Sequence, residues 1–183
     1  QRRSSARYKG EDYRASLQMN LTDAYETRKQ VLNVNGKSIR ITIPAGVEDG
    51  QVIKLKGYGG EGINGGPKGD LYITFVVNNN TPFRRVGDDL HIAIDLPLYT
   101  AVLGGEHIAE TMSGKIKMKV PPETQNGTQV RVKGKGFPKY KKDGEYGDLY
   151  ITWNVLVPTN LTEQEKELFK QLADLKNDSH GKN

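Results

Sequence analysis

Gly69-Asp70-Leu71-Tyr72-Ile73-Thr74 returns unchanged as Gly147-Asp148-Leu149-Tyr150-Ile151-Thr152 in a chain of 183 residues. Such a repeat marks either a shared local need, such as a turn feeding a strand, or the duplication of a whole unit, and the surroundings decide between them. Ile39, Ile41, Ile43 and Pro44 stand in register with Ile116, Met118, Val120 and Pro121 at a displacement of 77 residues. The same displacement carries Ala24 onto Ala101, Gly50 onto Gly127, and Ile53-Lys54-Leu55-Lys56-Gly57 onto Val130-Arg131-Val132-Lys133-Gly134. At the hexapeptide the displacement is 78, so the loop before it has gained one residue. A long period with a matched order of elements means two copies of one domain rather than a solenoid. At about 75 residues each, the copies lie near the lower limit for independent folding.

The copies read mostly as strand. Ser38–Ile43 alternates Ile39, Ile41 and Ile43 with Arg40 and Thr42, and Ile116–Val120, Ile53–Lys56 and Val130–Lys133 alternate in the same way. A period of two predicts strands with one buried and one wet face. Leu71–Val77 and Leu149–Val157 are denser in apolar residues and read as central strands. Asn35-Gly36, set between Val31–Val34 and Ser38–Ile43, predicts a tight hairpin. Short helices are expected at Thr22–Glu26 and Thr100–Leu103. Only the tail is clearly helical. Thr162 followed three residues later by Glu165 makes a capping box, and Leu168, Phe169, Leu172 and Leu175 then share one face of a helix reaching about Lys176. That stripe either folds back on the second copy or meets its counterpart in another chain.

Composition sets the outer limits. The chain is 35% hydrophobic and 27% charged, with 21 glycines, which suits small cores and much exposed sheet. There is no cysteine, so disulfides and thiolate metal sites are excluded. No apolar run approaches the ~18 residues of a membrane-spanning helix. The chain starts at Gln1 rather than Met, which reads as a cut fragment. A net charge of +5 points toward nucleic acid, acidic lipid or acidic peptide as partners.

The motifs that suggest chemistry fall away one by one. Gly57-Tyr58-Gly59-Gly60-Glu61-Gly62 fits the dinucleotide-binding spacing, but Ile63-Asn64-Gly65-Gly66-Pro67 follows where a helix would have to open. His91, His107 and His180 are scattered, without metal-ligand spacing. Asp88 and Asp89 are neighbours that a strand would point to opposite faces. Asn20-Leu21-Thr22 and Asn160-Leu161-Thr162 would matter only in a secreted protein. No catalytic constellation emerges, and neither cofactor nor metal is expected.

Seven stretches in order carry a family resemblance: Tyr13–Leu17, Leu21–Tyr25, Ile43–Val47, Gly65–Tyr72, Phe83–Leu90, Ala101–Gly105 and Lys133–Gly136. From about Gly10 to Lys176 the chain resembles the C-terminal region of DnaJ-type co-chaperones. The resemblance implies a mainly β protein of two tandem, similar β-sandwich domains with short helices and a C-terminal helix. The domains are expected at residues 10–85 (peptide-binding) and 86–158, with the helix over 159–177. It further implies a cytoplasmic protein that binds unfolded polypeptide for a DnaK-type chaperone, commonly as a homodimer joined at its C-terminal end. The J-domain with its His-Pro-Asp loop is absent, as are the four Cys-x-x-Cys motifs of the zinc-binding class and the Gly/Phe-rich linker. The chain is therefore most similar to the zinc-free class, including the curved-DNA-binding protein A group. That keeps DNA binding through the basic surface as an alternative.

By resemblance, the client groove of the first domain runs along Gln30-Val31-Leu32-Asn33-Val34, with Leu32 and Val34 facing one way and Ile73 lining it from the first hexapeptide. The bland reading of all three is core. Arg28 and Lys29 correspond to basic residues that meet the acidic tail of the partner chaperone in some relatives, or form a solvated turn. The tail residues Leu168, Phe169, Leu172 and Leu175 are the candidate dimer contact. The second domain, with Gly104-Gly105-Glu106-His107 where the first has Thr27-Arg28-Lys29-Gln30, is expected to act mainly as a spacer. A secreted β-sandwich of another kind is the third reading.

Overall fold

The computed structural model describes residues 6–180, and Gln1, where the expected trimming falls, lies outside them. The protein is mainly β. The first copy runs β1 (Tyr13–Asn20), α1 (Leu21–Ala24), β2 (Arg28–Val34), β3 (Lys37–Ile43), β4 (Val52–Leu55) and β5 (Leu71–Asn78). After β6 (Arg84–Val86), the second copy repeats the order as β7 (Asp89–Pro97), α2 (Leu98–Leu103), β8 (Gly105–Thr111), β9 (Gly114–Val120), β10 (Gln129–Val132) and β11 (Leu149–Leu156). The chain then forms α3 (Glu163–His180). The sheets are β1-β5-β4, β10-β11-β7-β6, and two separate hairpins, β2-β3 and β8-β9.

The two strands that begin in the hexapeptides, β5 and β11, both lie inside their sheets, as their apolar density predicts. The Asn35-Gly36 turn forms with φ of +46° and +78°, the left-handed pair that a tight hairpin needs. In β3, Ile39, Ile41 and Ile43 are buried while Arg40 and Thr42 are exposed. The Thr162 hydroxyl accepts the Glu165 N–H at 3.2 Å, and the Glu165 carboxylate accepts the Thr162 N–H at 3.1 Å, completing the box that opens α3.

The repeat extends to individual hydrogen bonds. The Asp70 carboxylate accepts the Gly57 N–H at 2.9 Å and pairs with Lys54 at 3.0 Å. One period later, Asp148 accepts the Gly134 N–H at 2.9 Å and the Arg131 Nε–H at 2.7 Å. Asp12 accepts the Asp70 N–H at 2.7 Å, and Asp89 accepts that of Asp148 at 2.8 Å. A Cβ on Gly69 would overlap the Glu11 carbonyl, and one on Gly147 the Asp88 carbonyl. The hexapeptide therefore recurs because one backbone crossing and one carboxylate clip are built twice.

The Gly57–Gly69 loop is a seat for incoming chain. Tyr8 and Ile63 exchange backbone hydrogen bonds at 3.2 and 3.0 Å, Gly10 N–H reaches Pro67 O at 2.9 Å, and Gly60 N–H reaches Glu11 O at 2.8 Å. Two of the loop's N–H groups that could face a phosphate, those of Gly60 and Ile63, are thereby given to Glu11 and Tyr8.

The chain divides into two compact units. The first takes in the chain up to Ala93 with Glu110–Ile116 and Gln129–Thr152. Its core includes Leu71, Ile73, Phe75, Phe137 and Leu149, all fully buried. The repeat boundary near residue 85 lies inside this unit, at Arg85. That guanidinium donates to Gly46 O at 2.9 Å, Val47 O at 2.7 Å and Gly87 O at 2.8 Å, and lies over the Phe137 ring at 4.0 Å. Phe137 also meets Tyr25 edge-on at 5.5 Å. The second unit takes in Ile94–Ala109, Lys117–Thr128 and the chain from Trp153 onward, around buried Leu96, Ala101, Val120 and Trp153.

The Gly57 N–H, then Lys9 and Lys54, hold the Asp70 carboxyl far below the usual carboxylate range, and the Gly134 N–H and Arg131 lower that of Asp148. Each contributes stability that is fully present above the unfolded aspartate value of ~3.9 and drains away as pH falls toward the lower folded value. In thermal melts from neutral to acid pH, the wild-type Tm is expected to drop steeply below about pH 4. Asp70→Asn should start lower at neutral pH and fall less. Parallel curves would show that the clip carries no pH-dependent stability.

Candidate functional site

Strand β2 forms half of a two-stranded sheet, so among the described residues its outer edge pairs with nothing. A row of backbone N–H and C=O groups is thereby open to another strand. The register sets Gln30 opposite Ile41, Leu32 opposite Ile39 and Val34 opposite Lys37. Opposed residues share a face, so Gln30, Leu32 and Val34 form one row beside the buried isoleucines of β3. Burial is graded across that face. Ile39 and Ile41 are 8% and 5% exposed, whereas Leu32 and Val34 are only half-buried. The apolar surface thus continues past β3 to β2 and stops at an open rim.

At the hairpin tip, Val34, Ile39, Tyr13, Tyr58 and Lys68 line an open cavity of about 260 Å³. The Glu61 carboxylate bridges Lys68 at 2.9 Å and Lys37 at 3.3 Å, which lowers its pKa and ties the tip to the glycine loop. Tyr13, Tyr58 and Lys68 were not expected here. Tyr13 opens β1, whereas Tyr58 and Lys68 belong to the glycine loop, and only the tertiary path of both segments brings them to Val34.

Gln30, Leu32 and Val34 stand together on the rim. Ile73 does not join them. It is fully buried at the centre of β5, between Ala15 of β1 and Ile53 of β4, and offers no surface to a peptide. A central strand covered on both sides has its apolar side chains taken up by the core. Arg28 is engaged with Asp23 at 2.6 Å, whereas Lys29 is exposed and has no carboxylate partner among the described residues.

In the second unit, Phe169 of α3 approaches Tyr99 of α2 at 6.3 Å between ring centres. Leu168, Leu172 and Leu175 remain 53%, 58% and 67% exposed. With Leu98, Val102 and Leu103 they line a largely apolar cavity of about 700 Å³. The stripe folds back on α2 and still leaves apolar surface in water.

No described helix is long and apolar enough to cross a membrane. Among the described residues no group of three or more His, Cys, Asp or Glu is placed to hold a metal ion.

The model of the family described as DnaJ C terminal domain matches residues 9–158. Over 139 residues the chain is 46% identical to a protein of Caldicellulosiruptor bescii named Chaperone protein DnaJ, covering 76% of this chain and 36% of that protein. A protein of the same name from Geobacillus sp. matches with the same figures. One from Lysinibacillus sphaericus is 44% identical over 142 residues, or 78% of this chain and 38% of that protein. The chain thus spans little over a third of the length of these curated relatives.

Removing a core side chain and removing a rim side chain should differ in cost. In urea titrations Ile73→Ala is expected to lose roughly 2–5 kcal/mol, and Leu32→Ala about 1 kcal/mol for a half-buried side chain. Equal losses would contradict the division between core and rim.

Proposed function

This chain belongs to the DnaJ C-terminal domain family, and we propose that it binds unfolded polypeptide by adding client segments as strands to the free edge of β2, for delivery to a DnaK-type chaperone. One observation carries this reading: an unpaired strand edge runs beside an apolar face that is buried on β3 and half-open on β2. Backbone pairing along an edge tolerates any sequence, which suits clients that share only exposed backbone and apolar side chains. Leu32 and Val34 supply the apolar rim, Gln30 a polar position on it, and the cavity at Val34 a place for one client side chain. The core position of Ile73 makes it a support of the sheet rather than a contact.

The relatives' name, Chaperone protein DnaJ, supports a chaperone role, and delivery to a DnaK-type chaperone is what the family resemblance implies. Lys29, and Arg28 once it exchanges Asp23, suit an acidic tail on that partner through charge-assisted hydrogen bonds. The exposed leucines of α3 favour a homodimer through the C-terminal end. DNA binding has little beyond the net charge of +5 behind it. Lys9, Lys54, Lys68 and Arg131 are already matched by carboxylates.

Fluorescence anisotropy with a labelled, unfolded apolar peptide tests the groove. Binding that persists at high salt and disappears in the Leu32→Ser/Val34→Ser double variant is expected. Binding indifferent to the variant and erased by salt would remove the groove and favour the basic surface instead. Sedimentation analysis tests the dimer. The chain should run as a dimer that Leu168→Asp/Leu172→Asp converts to monomer, and a wild-type monomer at all concentrations would overturn that assignment.

A further inference from the structure

We propose that the β2 edge selects segments in which apolar and acidic residues alternate, an inference that rests on the strand-addition reading. Side chains of a strand alternate between faces. A strand added to β2 must therefore set one row beside Gln30, Leu32 and Val34 and the other beside Lys29, Val31 and Asn33. The first row meets the half-buried apolar rim. The second meets a wet face, since all three of its residues are exposed, Val31 at 54%.

The charge of that wet face is unbalanced. The register places Arg40 directly across from Val31, with Lys29 next along the row. Neither β2 nor β3 contains an acidic residue. Arg28 has Asp23 at 2.6 Å and Lys37 has Glu61 at 3.3 Å, but Lys29 and Arg40 have no carboxylate partner among the described residues.

The second copy shows what would balance it. At the positions of Lys29 and Arg40 it carries Glu106 and Lys117, which form an ion pair at 2.7 Å. The same hairpin position is thus a closed pair in one copy and two like charges in the other. A carboxylate on the wet side of an added strand would lie beside Lys29 of β2, with Arg40 one strand further across the same face and adding only to its positive field. An added cation would meet like charge with nothing to offset it. Opposite charges on neighbouring strands attract and like charges repel, and this edge can offer a client only repulsion or a missing counter-charge.

Three labelled peptides test this on the full chain: one alternating leucine with glutamate, one alternating leucine with lysine, and one with the leucines and glutamates of the first in blocks. The alternating acidic peptide is expected to bind about fivefold tighter than the basic one at low salt, a figure set by exchanging one cross-strand attraction at Lys29 for one repulsion, with the gap closing as salt rises. The block peptide should bind more weakly than the alternating one, because net charge is held constant and only the register is lost. Lys29→Gln/Arg40→Gln should abolish the preference and Lys29→Glu/Arg40→Glu should invert it, while Lys119→Glu should leave it unchanged. Equal binding of the block and alternating acidic peptides, or a preference that survives the double substitutions, would overturn the proposal. If Leu32→Ser/Val34→Ser abolishes binding but no charge preference exists, only this inference fails. If binding of every peptide ignores Leu32→Ser/Val34→Ser, the strand-addition reading fails.

Discussion

The carboxylate that follows the glycine of each hexapeptide holds together segments distant in sequence. Asp70 takes the N–H of Gly57 just beyond β4, the ammonium of Lys54 on β4 and that of Lys9 on the incoming chain. Hydrogen bonds to an ionised group are stronger than neutral ones, and the Asp70 side chain is only 6% exposed, so little water competes. Because β5 starts at this point and lies between β1 and β4, the clip helps set the register of the whole sheet. Asp148, with Gly134 and Arg131, does the same for β11.

With that sheet pinned, the β2-β3 hairpin is left as a sheet of its own, and its free edge follows from the topology. An unpaired edge is normally a hazard, because it can pair with another copy of the same chain. Charge manages the hazard here. On the proposed reading, Lys29 at one β2 edge would meet the same cation at another, which would oppose self-pairing and admit an acidic strand. On the same proposed reading, the charges that guard the edge would also discriminate among the strands added to it. The second hairpin has its equivalent charges closed into a pair, so it has no such bias at those positions.

Much of this was legible from residue patterns. The period of 77 residues, the Asn35-Gly36 turn, the alternating isoleucines of β3 and the Thr162–Glu165 box are local signals, and each forms the element it announces. Less was legible where partners come from afar. β1 pairs in parallel with β5, which begins about fifty residues after β1 ends, and its sequence carries only Leu17 and Met19 as a buried pair. The glycine spacing from Gly57 to Gly62 imitates a cofactor motif, but the loop it opens, through Pro67, serves backbone crossings with Tyr8, Gly10 and Glu11.

Sequence by itself determined that there are two copies, which faces of their alternating strands turn inward, and that the tail is a capped amphipathic helix. These depend on side-chain period and turn chemistry, which are properties of neighbouring residues. Only the tertiary structure decided that Ile73 is core while Leu32 and Val34 are rim, although all three are apolar residues on strands. The difference is that β5 has a strand on each side and β2 on one. Only the tertiary structure, likewise, left Lys29 and Arg40 without a counter-charge among the described residues. A strand's edge, its depth and the company of its charges are set by what the rest of the chain brings beside it.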